Sequence, residues 1–191
     1  MEDPLTVFRM WLDEARAAGA FEPEAMAVAT AASDGAPSVR MVLMKGNDER
    51  GIVFFTNYAS RKGEELEQNP RAALLFHWPV LGRQVRIEGP VTRVDRAETE
   101  AYARARPRLS QLSALASPQS RPVPDREWLE RRVEELDRDH AGAELPVRED
   151  WGGYRVQAEA WEFWQHRENR LHDRQRYERV ADGWTMERLA P

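Results

Sequence analysis

Met26-Ala-Val-Ala-Thr-Ala31, Ser38-Val-Arg-Met-Val-Leu-Met44 and Gly51-Ile-Val-Phe-Phe-Thr56 are short β-prone runs, divided by Ser33-Asp-Gly and by Asn47-Asp-Glu-Arg-Gly51. Turn residues between brief apolar runs read as antiparallel hairpins. On the N-terminal side, residues 4–18 form an amphipathic helix: Asp3 caps it, Pro4 suits its first position, and Leu5, Phe8, Leu12 and Ala15 repeat at helical spacing before Gly19. On the C-terminal side, Ser60 caps a helix to Asn69, and strands follow around Arg71–His77 and Gln84–Val94. Asp95 caps a helix running until Pro107, with a second short helical piece at 110–116. A proline-punctuated loop over 117–124 precedes an exposed helix over 125–140, striped by Leu129, Val133 and Leu136. Residues 154–164, 174–180 and 184–189 read as three closing strands, with Asp182-Gly183 turning the last hairpin. No repeat or linker interrupts the pattern. The expectation is one domain over 1–191, mainly β with peripheral helices (α+β), its antiparallel sheet closed as a small barrel.

A chain of 191 residues suffices for one domain with a real core. No apolar run approaches the roughly 20 residues needed to cross a bilayer. The start, Met1-Glu-Asp-Pro, carries acid where a secretory signal carries base, and there is no cysteine for disulfides or thiolate ligands; a cytoplasmic protein is expected. A net charge of −5 argues against nucleic acid as a partner, and the arginines after residue 126 alternate with glutamates as on a solvated helix face.

Four cationic groups stand out. Arg170, His172 and Arg174 alternate near Trp161 and Trp164, and in an extended strand they would share one face, suited to a planar anionic ligand. Arg40 and Lys45 bracket an apolar strand, on opposite faces unless a bulge re-aims one; buried-strand ends with solvated charges are the plainer reading. Arg61 and Lys62 follow Ser60 at a helix start, where cations oppose the macrodipole unless an anion sits between them and the free N–H groups; a solvated turn is the alternative. Tyr102 and Arg106 lie four apart with Ser110 beyond Pro107, a donor set for a phosphate dianion or an ordinary surface stack. Gln84 and the pair Gln119-Ser120 could meet ligand heteroatoms or cap backbone. There is no G-x-G-x-x-G, P-loop or G-x-S-x-G, and His77, His140, His166 and His172 show no metal-ligand pairing, so no metal is expected. A phosphate-bearing cofactor held without a dinucleotide motif points to FMN or pyridoxal phosphate.

These motifs in order, with Asp3-Pro-Leu-Thr, Phe54-Phe-Thr-Asn57, Gln68-Asn-Pro-Arg71, Arg83-Gln-Val, Arg106-Pro-Arg, Trp151-Gly-Gly, Phe163-Trp-Gln, Arg170-Leu-His-Asp-Arg174 and Arg188-Leu-Ala-Pro191, resemble the pyridoxine/pyridoxamine 5′-phosphate oxidase family over essentially the whole chain. The resemblance implies an FMN-binding split β-barrel of antiparallel Greek-key type. It implies a homodimer with flavin in the subunit interface, residues from about 151 to 191 completing site and interface. FMN contacts would come from Arg40, Met41, Val42, Leu43, Met44, Lys45, Phe55, Thr56, Arg61, Lys62, Gln84, Gln119, Ser120, Trp164 and Arg174. Lys45, Tyr102, Arg106 and Ser110 would hold the substrate phosphate, with Arg170 and His172 flanking the pyridine ring as the catalytic pair. The implied activity is oxidation of pyridoxamine or pyridoxine 5′-phosphate by O2 to pyridoxal 5′-phosphate and peroxide. A same-fold flavin oxidase of phenazine type and a noncatalytic binder of FMN or pyridoxal phosphate are the rival readings. Three departures stand out: Phe55 replaces a frequent tyrosine, Pro118 a frequent lysine, and the sequence opens almost at the first helix, where longer members carry an arm over the active site. The last implies either weaker substrate closure or an arm that has been dispensed with.

Overall fold

The structure, a computed structural model, describes residues 2–191. Helix α1 (Pro4–Ala17) starts as its caps dictate, with the Asp3 carboxylate accepting from the Thr6 N–H at 3.1 Å and Pro4 in the first turn. Strands β1 (Ala25–Ala31) and β2 (Pro37–Leu43) form the first hairpin, Val28 opposite Arg40. A three-residue strand, β3 (Gly46–Asp48), pairs with β4 (Gly51–Asn57) where the sequence reads only as a turn. Asp48 builds that turn by accepting from the N–H groups of Arg50 and Gly51. Helix α2 (Arg61–Gln68) follows, capped by the Ser60 hydroxyl.

Strand β5 (Arg71–Trp78) returns to lie beside β1, and β6 (Arg83–Arg93) beside β5. Helices α3 (Arg96–Ala105), α4 (Arg108–Ala116) and α5 (Arg126–Asp139) come next, then β7 (Trp151–Val156), β8 (Ala160–Gln165), β9 (Asp173–Val180) and β10 (Gly183–Arg188). Every pairing is antiparallel. One wall runs β10-β9-β8-β6-β5-β1-β2; the other branches from the far end of β6 through β7 and β4 to β3. No ladder joins β2 to β3 or β4 among the described residues, so the expected closed barrel is split. The Lys45 N–H donating to the Val53 carbonyl at 2.7 Å crosses that seam.

The expected single strand over 154–164 is two. Both faces of β7 are buried, so it lacks the alternation that marks strand limits in a sequence. It pairs with Val91–Arg93 of β6, whereas β8 pairs with Arg83–Glu88, and the chain changes wall at 157–159. Gly89 permits the crossing: a Cβ there would sit 1.8 Å from the Gln157 carbonyl oxygen. Phe8 of α1 plugs the barrel, its ring 4.9 Å from Phe76 and 5.4 Å from Trp161. No helix among the described residues is long and apolar enough to cross a membrane.

Candidate active site

One cleft of about 820 Å³ opens between β2, the end of β4, the start of α2, and the α3–α4 turn with the loop after α4. That volume fits a ligand of cofactor size. Arg40, Met41, Val42, Leu43, Lys45, Phe55, Thr56, Arg61, Lys62, Tyr102, Arg106, Gln119 and Ser120 all line it. Arg40 and Lys45 reach it together because β2 stops at Leu43, so the five-residue spacing no longer sets them on opposite faces.

At the α2 end lies a buried charge cluster. Lys62 donates to the hydroxyls of Thr56 (3.0 Å) and Ser60 (3.3 Å), and to the Gln119 side-chain oxygen (3.4 Å). Burial first, and the positive charge of Arg40 second, push its pKa down to about 8. Glu65, one turn further along α2, is the residue that sequence reading missed. Its carboxylate accepts from Thr30 and Ser38 at 2.5 Å each, from Arg61 at 2.9 Å and from Arg40 at 3.3 Å. Burial alone would raise its pKa; those donors outweigh burial and hold it at about 2. Its position four residues after Arg61 was the available signal. Glu65 thus orients Arg40 and Arg61, and Arg61 keeps its terminal nitrogens free toward the cleft.

The other end is built differently. Tyr102 stands on α3 and Arg106 is the residue just past its end, extended at ψ 150° rather than helical. Burial lowers the Arg106 pKa and raises that of Tyr102, which stays a neutral donor. Among the described residues neither the Arg106 guanidinium nor the Lys45 ammonium makes a hydrogen bond or ion pair, in a chain where most arginines are paired. Two cationic groups lining one cleft suit two phosphate groups.

Some expected residues lie elsewhere. Met44 is buried in the core and Ser110, in the first turn of α4, is outside the lining, where Ser113 and Ser117 stand instead. Gln84, Trp164, Arg170, His172 and Arg174 are not in this cleft. Nor do Arg170, His172 and Arg174 alternate on a strand. Asn169 and Arg170 adopt left-handed conformations (φ 55° and 61°), and β9 starts only at Asp173. His172 instead packs beside Trp164, ring centres 4.6 Å apart. Arg174 is paired with Glu162 at 2.9 Å. Trp164 and Gln84 are opposite each other in the β6–β8 ladder, so these residues gather at one end of the sheet.

The family model described as pyridoxamine 5′-phosphate oxidase matches residues 12–138, and the pyridoxine 5′-phosphate oxidase C-terminal dimerisation region matches 151–191. The chain belongs to the pyridoxamine 5′-phosphate oxidase family. A pyridoxine/pyridoxamine 5′-phosphate oxidase from Rubrobacter xylanophilus is 56% identical over 99% of this chain and 87% of its own length. That from Gluconobacter oxydans is 52% identical over 99% and 94%. Among solved structures, PhzG from Burkholderia lata, in complex with tetrahydrophenazine-1-carboxylic acid, superposes with TM-score 0.94 at 36% identity, covering 100% of this chain and 94% of that one. An FMN-binding protein from Nostoc punctiforme related to pyridoxamine 5′-phosphate oxidase shares the fold at TM-score 0.76, 18% identity, and 97% and 96% coverage. The dimerisation region of this family member contains Trp164, Arg170, His172 and Arg174, the residues that lie away from the cleft.

Proposed function

We propose that this family member is an FMN-dependent oxidase that uses O2 to convert pyridoxine 5′-phosphate to pyridoxal 5′-phosphate and H2O2, and pyridoxamine 5′-phosphate, with water, to pyridoxal 5′-phosphate, ammonia and H2O2. One observation carries the reading: a single cleft is lined by the buried Lys62 with Arg40 and Arg61, and also by Lys45, Tyr102 and Arg106, neither Lys45 nor Arg106 being in an ion pair among the described residues. The donor set fits FMN, whose phosphate would meet Arg61, Lys62 and the start of α2, where an anion also answers the helix dipole. When bound, FMN supplies the hydride acceptor and the path of electrons to O2. Lys45, Arg106 and Tyr102 hold the substrate phosphate and thereby fix where the exocyclic carbon sits.

The protein works as a homodimer, consistent with its C-terminal dimerisation region. In that assembly a second copy of the chain brings Gln84, Trp164, Arg174, Arg170 and His172 to each cleft. Arg170 and His172 then orient the pyridine ring and shield it from water. A cytoplasmic location belongs to the same reading, because phosphate esters do not cross bilayers unaided.

Adding pyridoxamine 5′-phosphate to the purified, FMN-loaded protein without oxygen should bleach the flavin absorbance, and air should restore it with release of H2O2. Unphosphorylated pyridoxamine should show kcat/KM about 100-fold lower, the scale of losing two charge-assisted contacts. The likeness to PhzG favours a second reading, an anionic substrate without phosphate; equal kcat/KM for the two amines would support it.

Proton linkage at Lys62 adds a pH expectation. An anion binds its charged form, so FMN affinity of the apoprotein should fall as pH rises through about 8, by up to tenfold per pH unit. Apoprotein stability should move the other way over this range: with the folded pKa depressed, the unfolded state holds more protons between about 8 and 10.5. Fluorescence titration of FMN between pH 7 and 9.5 measures the first trend, and flat affinity would contradict the role of Lys62.

A further inference from the structure

Among the described residues, the Arg106 guanidinium is held in place without any hydrogen-bond partner for its N–H groups. Its guanidinium carbon lies 5.0 Å above the ring of Trp151, and no carboxylate pairs with it among the described residues. The contrast with the other end of the cleft is informative, since Glu65 orients Arg40 and Arg61 through their donors and offsets part of their charge. A ring face fixes a guanidinium plane while leaving every N–H free for a ligand.

Trp151 is itself fixed. It is buried, opens β7, and is paired with Asn57 at the end of β4. Phe55 stacks on Tyr102 at 3.9 Å and 18°, and on Trp151 at 5.6 Å and 18°; Tyr102 and Trp151 are parallel to within 5°. The next two residues make room for neighbouring rings: a Cβ on Gly152 would meet the Tyr58 hydroxyl at 2.1 Å, and one on Gly153 the Phe55 ring at 2.9 Å. Phe55 therefore acts through its ring face, and a phenol at that position is not needed for the stack.

We propose that Trp151 is a positioning residue for phosphate selectivity, presenting Arg106 by cation–π contact and Tyr102 through the Phe55 stack. This rests on the reading of the cleft given above. The readout is the ratio of kcat/KM for pyridoxamine 5′-phosphate to kcat/KM for pyridoxamine, measured with FMN-saturated enzyme. Trp151→Leu should lower that ratio about tenfold, the order of a partly desolvated cation–ring contact, whereas Trp151→Phe should restore most of it. Arg106→Lys keeps the charge but loses the planar stack, so it should lower the ratio similarly, and it tests the contact should Trp151→Leu not fold. A general folding defect lowers both substrates together and leaves the ratio alone. An unchanged ratio in Trp151→Leu, or in Arg106→Lys, overturns the proposal by itself. A wild-type ratio near one overturns the reading of the cleft and the proposal with it.

Discussion

Glu65→Gln is expected to destabilise the apoprotein by about 2–3 kcal/mol and to lower Tm by about 5–10 °C. The carboxylate is almost fully buried and accepts from four side chains on β1, β2 and α2. A glutamine has one acceptor oxygen and turns an N–H2 group toward donors, so Arg61 loses its carboxylate, or Arg40 loses its carboxylate and keeps only Val28, Thr30 and Ser38 as acceptors. A depressed carboxyl pKa stabilises the fold fully above the unfolded value near 4.5, and that stability is lost as pH falls toward about 2. The gap between wild type and variant should therefore be constant from pH 7 to 5 and close below that. Urea denaturation at several pH values tests this; equal midpoints at pH 7 would refute the role given to Glu65. FMN affinity should fall as well, since Arg61 would no longer be aimed.

Arg170→Ala should lower kcat/KM for pyridoxamine 5′-phosphate about 100-fold while changing FMN affinity less than about threefold. The side chain is exposed and, among the described residues, makes no hydrogen bond or ion pair within its own chain. Its backbone sits in the left-handed region next to a second left-handed residue, Asn169, a conformation that costs about 1–2 kcal/mol for a residue with a Cβ. An unpaired arginine on a strained turn fits a group whose partner is a ligand or another subunit. Oxygen consumption and flavin fluorescence separate the two effects. Equal loss of both would mean that Arg170 belongs to the cofactor site.

The elements with local signals were legible. Asp3, Ser60 and Asp95 each cap the helix expected of them, because capping chemistry depends on three or four neighbouring residues. The hairpin of β1 and β2 followed from its turn and alternation. The break between β7 and β8 was not legible, since a strand buried on both faces has no polar side to mark where it changes partner. Family motifs named most of the cleft, but they carry no distances. They single out Arg170, His172 and Arg174, while strand periodicity mistook a tight turn for an extended run. Glu65 and Trp151 received no role in the cleft for a related reason: only the fold brings Arg40 to the one and Arg106 to the other.

Strand β6 spans 11 residues, about 36 Å at the usual rise. Gln84 stands near its start, opposite Trp164, and its end leads through Val94 and Asp95 into the helix that carries Tyr102. In the paired assembly proposed above, one strand therefore carries Gln84 toward one catalytic centre and leads, through Val94 and Asp95, into the helix that lines the other. Occupancy at one centre could tug on its twin without any hinge, a mechanical link that titrating the dimer with substoichiometric substrate would reveal as unequal binding steps.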